Sequence, residues 1–444
     1  MRKFAICASF LGLLMAGASF ASAATQVGPI TIGGDISLFT RYTKNPKFGG
    51  EEGQYGYTPD RTYGEVYGTV FLSGETQTPY GTLSAELRPY FVKTLGEDFF
   101  GIMQDGSNNY ADYMGRDKNP ANVGLDQAWL KMSRIAKLPV DITIGRQEIT
   151  IEKGFLFGIS GDSETAIWHG KPYSFPLAVR ADGEFGPVSW TGFYAKSDNY
   201  RDALEDDVKT YGLNLHYTAS ETAYIYGGVF QKDEPKVGSG DSTQGDTYEN
   251  DTLTYNLGGE LGLGPVVLEG EFALQRGDIV DKNGKVFDRD SLGYWASATY
   301  NTALSMAPYF RLMYQSYSGD SDGPEGNFDS LHSGFTAWNR FFTGEVVSEG
   351  QLLNSNRENY VVEVGFYPSE VSMVTMAYIN HRLLEVDGPK KWADEVNIFF
   401  DSGIAENVTL SLGAGYAIAG GAAKKEYGAS DDAIFTQMQL VYAF

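Results

Sequence analysis

Three features of the sequence predict an all-β chain. Short segments alternate apolar and polar residues, their connections alternate tight and long, and an aromatic closes the last amphipathic segment. Together they predict a transmembrane antiparallel up-and-down β-barrel of about 18 strands, with 16 as the lower count. The alternation begins with Ile30, Ile32, Ile36 and Leu38 on one face and Asp35, Ser37 and Arg41 on the other. It recurs where Leu177, Val179 and Ala181 alternate with Arg180, Asp182 and Glu184, and where Tyr360, Val362, Val364 and Phe366 face away from Glu363. A period of two is strand patterning with one apolar and one polar face.

The strands are placed near residues 29–42, 62–74, 82–94, 125–134, 140–149, 176–185, 188–197, 208–218, 222–232, 251–262, 265–276, 290–301, 304–317, 358–367, 371–383, 393–402, 407–418 and 433–444. Tight connections such as Gly186-Pro187, Gly264-Pro265 and Pro368-Ser369-Glu370 alternate with long ones at 43–61, 95–124, 150–175, 233–250 and 318–357. A soluble sandwich has no reason to sort loop lengths by parity, whereas an outer-membrane barrel puts short turns in the periplasm and long loops outside. The segments at 95–124, 150–175 and 318–357 are long enough to fold into the lumen and set its constriction.

The composition agrees. Of 444 residues, 42% are hydrophobic and 14% aromatic, and no long apolar run follows the first 20 residues, which excludes a helical membrane bundle. A formal charge of −23 argues against nucleic acid, which needs a basic surface. Arg2 and Lys3, the apolar run from Phe4 to Met15, and Ala21-Ser22-Ala23 read as a signal peptide over 1–23, cleaved after Ala23, leaving one barrel domain over 24–444. The only cysteine, Cys7, leaves with it. At the other end Met438, Leu440, Tyr442 and Phe444 alternate, and Phe444 reads as the signal for the barrel assembly machinery.

Several segments resemble the bacterial alginate export porin family of 18-stranded outer-membrane barrels. These are Asp126-Gln127-Ala128-Trp129-Leu130-Lys131-Met132, Thr143-Ile144-Gly145-Arg146-Gln147-Glu148, Ala178-Val179-Arg180-Ala181-Asp182-Gly183-Glu184-Phe185 and Asp394-Glu395-Val396-Asn397-Ile398-Phe399-Phe400. The resemblance implies passage of an anionic polysaccharide through an Arg-lined lumen.

Strand parity reads the lining differently. It points Arg41, Arg88, Lys131, Arg180, Arg311 and Arg382 inward, together with Asp35, Glu65, Glu86, Asp182, Glu184, Glu260, Glu269, Glu271, Glu363, Glu395 and Asp401. Such a mixed, acidic-leaning lumen concentrates cations and repels a polyuronate. Arg146 would point into lipid by parity, at a cost of about 2–4 kcal/mol at mid-depth, unless Gly145 marks a bulge that turns it to the rim or inward.

The function expected is that of a porin-like channel, not an enzyme, for passive diffusion or export of small hydrophilic solutes or saccharides. Its partners would be outer-membrane lipid, lipopolysaccharide and the assembly machinery, and it would need no cofactor. The alternative is a barrel sheathing a partner protein such as a multihaem cytochrome. Haem would then belong to the partner, since the chain has no C-x-x-C-H site. A third reading, an outer-membrane lipid hydrolase, rests on His381 facing lipid. Of the other histidines, parity points His216 inward, while His169 and His332 fall in outer loops. Asp320-Ser321-Asp322-Gly323 and Gly240-Asp241-Ser242 are oxygen-rich loop stretches of the kind that suits calcium. Trp338, Phe341 and Phe342 are out of place in a wholly solvated loop.

Overall fold

The computed structural model describes residues 24–45, 48–49, 60–96, 103–104, 110–111, 121–158, 174–198, 207–234, 247–281, 283–319, 325–329, 331, 346–347 and 355–444. The expected leader with Ala23 lies outside them. So do His169, His332, Trp338, Phe341, Phe342, Asp241 and the Asp320–Gly323 stretch.

Eighteen strands form the wall. They are β1 (Ile30–Lys44), β2 (Asp60–Thr78), β3 (Gly81–Gly96), β4 (Ala121–Ser133), β5 (Val140–Glu148) and β6 (Ser174–Phe185). Then come β7 (Val188–Asp198), β8 (Asp207–Ser220), β9 (Ala223–Glu234), β10 (Thr247–Leu263), β11 (Val266–Asp281) and β12 (Val286–Asn301). The last six are β13 (Tyr309–Tyr317), β14 (Arg357–Ser369), β15 (Ser372–Leu383), β16 (Lys391–Ala405), β17 (Val408–Ala419) and β18 (Ala433–Ala443). Each pairs antiparallel with its sequence neighbours, and β18 pairs back onto β1, with Asp35 opposite Ala443 and Lys44 opposite Ile434. The barrel is closed, so it leaves no edge and every strand is paired on both sides.

No helix among the described residues is long and apolar enough to cross a membrane. The strands supply the apolar surface instead. Ile36, Leu72, Leu130, Ile144, Leu213, Leu257, Phe272, Leu312, Val362 and Ile398 are all exposed on the outer face, while Arg41, Glu65, Asn214, Thr254, Gln275 and Asn359 are buried on the inner face. That separation suits hydrocarbon outside and a polar interior.

The expected segments appear in order, with ends that differ for physical reasons. Strand β12 starts at Val286, four residues before the expected 290, because hairpins continue past the membrane. Strand β13 starts at Tyr309, five residues after the expected 304, since Met306 and Ala307 take positive φ values of 67° and 41° in the turn before it. The two-residue turn at Gly186-Pro187 needs φ > 0 at its first position, and Gly186 has φ 59°.

Gly145 has φ 124°, and the β5–β6 register slips between Gly145 and Gln147. A Cβ there would lie 2.3 Å from the Ala128 carbonyl oxygen, so only glycine fits. Arg146 beside it donates from Nε to the Asp126 carbonyl at 3.3 Å and to Ser174 Oγ at 3.1 Å, which satisfies its guanidinium against the wall.

Candidate functional site

The lumen is shaped by three segments that fold into it. After β5 the chain turns inward as Ile149-Thr150-Ile151-Glu152-Lys153-Gly154-Phe155-Leu156-Phe157. The Ile151 amide donates to the Phe157 carbonyl at 2.9 Å, and Gly154 N–H to Ile151 at 3.0 Å, closing a small hairpin with Glu152 and Gly154 at positive φ. Its apolar flanks pack on the wall. The Phe157 ring lies 5.1 Å from Phe193 and 5.0 Å from Phe230, and Phe155 lies 5.9 Å from Tyr317. The same buried cluster takes in Phe175, Ala178, Ala195, Ala273, Trp295, Met313, Val361, Ala377 and Ile379. It therefore touches inner faces from β6 round to β15. Alanine at four of these positions leaves the room the phenyl rings fill, as close packing requires.

The hairpin tip is polar and pinned. Glu152 accepts hydrogen bonds from Asn214 Nδ2 at 2.7 Å and sits 3.1 Å from His216 Nδ1. Lys153 Nζ donates to Glu269 at 2.8 Å and Glu260 at 3.1 Å. Burial alone would lower the Lys153 pKa, but the Glu269 and Glu260 carboxylates outweigh it and hold the ammonium well above the ordinary lysine range. Beneath the tip lies a polar niche of about 180 Å³ lined by Glu152, Ser189, Trp190, Thr191, Asn214, His216 and Thr218.

The second segment comprises residues 325–329 and 331. Its Phe328 ring is 6.0 Å from Phe155, so it caps the first hairpin. Asp329 next to it accepts from Lys232 Nζ at 3.2 Å and Asn250 Nδ2 at 3.0 Å, while Arg289 holds the Asn327 carbonyl at 2.6 Å. Burial favours the protonated acid, yet Lys232 and Arg289 together keep the Asp329 carboxyl far below the usual carboxylate range. A depressed folded pKa gives stability that is present above the unfolded value of 3.8 and lost as pH falls through the folded value. Single-channel current is therefore expected to show no release of this segment between about pH 5 and pH 7. Asp329→Asn should give a noisier current throughout that range, and equal noise in both proteins would refute the pin.

The third segment, Val346-Val347, is held by one carboxylate. Glu395 accepts from Val346 N–H at 2.8 Å and Val347 N–H at 3.0 Å, and lies 3.2 Å from His381 Nε2. Arg357 Nη2 is 3.0 Å from His381 Nδ1, and Arg357, His381 and Glu395 are all 0% exposed. Phe48, Trp392, Phe399, Phe435 and the short helix α1 (Gly421–Tyr427) complete an apolar cluster around the two valines.

Most of the residues expected in the lining sit on the inner face. Arg41 stacks 4.4 Å from the Phe435 ring, Arg88 pairs with Glu86 at 2.6 Å, and Lys131 with Asp141 at 2.8 Å. Arg180 pairs with Asp182 at 2.8 Å and Arg311 with Glu363 at 3.5 Å. Glu65 is buried, and Glu184 is exposed at the end of β6 by the Gly186 turn. Other inner-face acids accept from neutral donors. Glu271 accepts from Tyr226 at 2.8 Å and Asn256 at 2.7 Å, Asp401 accepts from Ser411 at 2.6 Å, and Asp35 accepts from Thr69.

Two assignments are overturned. Arg382 does not line the lumen: it shares the outer face with Met376 and Tyr378 and pairs with Glu358 at 2.9 Å, which in turn accepts from Tyr314. His381 does not face lipid but is fully buried inside, as above. The inner face of β15 carries Ala377 and Ile379 because it packs on the hairpin core, so apolar residues occupy both faces and parity misleads.

Sequence parity also missed Glu152, Lys153, Lys232, Arg289, Asp329 and Arg357. Lys232, Arg289 and Arg357 stand at outer strand ends, where the outer face is polar too and alternation fades. Among the described residues no group of three or more His, Cys, Asp or Glu is placed to hold a metal.

No protein-family model matches this chain, and no curated protein sequence does. Solved structures do match. Acinetobacter baumannii OccAB4 is 12% identical over 95% of this chain and 99% of its own, with a TM-score of 0.56. Pseudomonas aeruginosa OccK9 (OpdG) is 12% identical over 94% and 98%, at 0.59. P. aeruginosa OpdK, solved with vanillate, is 14% identical over 93% and 98%, at 0.57. These are outer-membrane barrel porins of the Occ/OprD group, and the alginate export resemblance finds no support. The chain thus has the closed 18-stranded fold of bacterial outer-membrane porins, with the apolar outer wall that such a membrane demands.

Proposed function

We propose that the chain is a passive outer-membrane channel for small hydrophilic solutes, narrowed by the three inward segments and biased toward cations. The observation that carries this reading is the surplus of inward acid. Arg88, Lys131, Arg180 and Arg311 each pair with a carboxylate, whereas Glu271 accepts from the Tyr226 hydroxyl and the Asn256 amide. A low-dielectric wall lined by one sign of charge raises the local concentration of the opposite ion. Of the inner-face charges, the part-exposed Arg88, Lys131, Lys153, Arg180 and Asp182 are the lining that solutes meet.

Passive diffusion needs no catalytic group, and with His381 inside the barrel a lipid-facing hydrolase loses its base. A sheath around a cytochrome or another partner would need the space that Phe155 and Phe157 fill. The similar OpdK structure holds vanillate, a carboxylate, whereas the acid surplus here favours cationic over anionic solutes. Lipopolysaccharide and lipid are the expected neighbours of the wall. In the Tyr442–Phe444 stack, Phe444 exchanges backbone hydrogen bonds with Gly34 at 2.9 Å, which suits a terminus read by the assembly machinery.

The test is conductance of the refolded barrel in a planar bilayer under a potassium chloride gradient. Steady current with a reversal potential of cation-selective sign is expected. An anion-selective sign, or no current, overturns the reading.

A further inference from the structure

We propose that the wall site holding Lys153 is a receptor for a primary ammonium group on a solute, and that the chain's own hairpin is its resident occupant. The proposal rests on the channel reading and names a solute class for it. Glu260 and Glu269 are direct cross-strand partners in the β10–β11 register. Like charges directly opposite repel, so this pair calls for a cation between them.

The wall prepares the site without help from the hairpin. Tyr224 Oη donates to Glu260 at 3.1 Å, and Ser297 Oγ to Glu269 at 3.3 Å. The Tyr224 ring lies 5.9 Å from Nζ, within cation–π range. Four wall residues from β9 to β12 thus present two oriented carboxylates and a π face to one ammonium. Arg311, the nearby wall cation, is committed to Glu363.

A second observation points to a ligand beside it. Asn214 is 4% exposed and gives its Nδ2 to Glu152, yet its Oδ1 has no partner among the described residues. Asn214 lines the polar niche under the tip, together with the hydroxyls of Ser189 and Thr218. The niche adjoins the receptor through the hairpin tip, where Glu152 lines the niche and the next residue, Lys153, occupies the carboxylates. Three N–H donors on the incoming group replace those of Lys153, and charge-assisted hydrogen bonds make the exchange close to balanced.

The test uses the full-length barrel with Lys153→Ala, which vacates the receptor, and Lys153→Met, which keeps the stem should the alanine variant not fold. Ethylammonium is compared with tetramethylammonium, a cation of the same charge with no N–H. In the vacated barrel, ethylammonium should bind about tenfold more tightly than tetramethylammonium, read as half-block of potassium current and as calorimetric binding in detergent. Adding Glu269→Gln to the Lys153 variant should remove that preference.

Equal binding of the two cations to the vacated barrel overturns the receptor, as does a preference that survives Glu269→Gln. Calorimetric preference without any current would sustain the receptor and sink the channel reading, so the two failures are distinguishable.

Discussion

Replacing residues 150–157 with a short glycine-serine turn is expected to raise single-channel conductance severalfold while the barrel still refolds and stays folded in detergent. The hairpin puts Phe155 and Phe157 into the lumen, and its cluster reaches wall residues from Phe175 on β6 to Ile379 on β15. None of these contacts belongs to the strand ladder. Ladder hydrogen bonding and the apolar outer face hold the barrel, and both survive removal of the hairpin. Conduction, by contrast, depends on the cross-section that the two phenyl rings occupy. An unchanged conductance in a folded deletion variant would show that the constriction lies elsewhere.

Glu395→Ala should have the largest effect on stability of any single change in the lumen, about 3–5 kcal/mol, because removing one partner of a buried charged network leaves the rest uncompensated. Glu395 accepts from two backbone amides and from Asn397 Nδ2 at 2.9 Å, and it faces His381, which Arg357 touches from the other side. Truncation orphans the Val346 and Val347 N–H groups and strands the Arg357 charge with no exposed surface. Glu395→Gln keeps an acceptor and should cost less. The denaturant midpoint of the barrel in lipid vesicles reads both variants, and an unshifted midpoint for the alanine variant would remove Glu395 from the role assigned to it.

The wall was legible in the sequence because lipid imposes a simple rule on it. A residue facing hydrocarbon must be apolar, so Ile36, Ile144, Leu257 and Val362 announce their side, and the opposite face follows by alternation. The rule failed at β15, where Ala377 and Ile379 face a protein core inside the barrel rather than water. It failed too at Arg289 and Arg357, beyond the apolar belt. The Gly145 anomaly was visible as an arginine on the wrong parity, and the bulge it called for is there.

The sequence by itself determined a barrel of about 18 strands and the sorting of loops by length, and led us to expect an acidic-leaning lining, since each follows from local alternation and composition. Only the tertiary structure decided what fills that barrel. Glu152 and Lys153 meet His216 and Glu269 across the lumen, and Glu395 meets Val346 from a distant loop. Such contacts depend on where a folded wall places partners about 50 to 120 residues apart in the chain. Period-two alternation carries no information at that range.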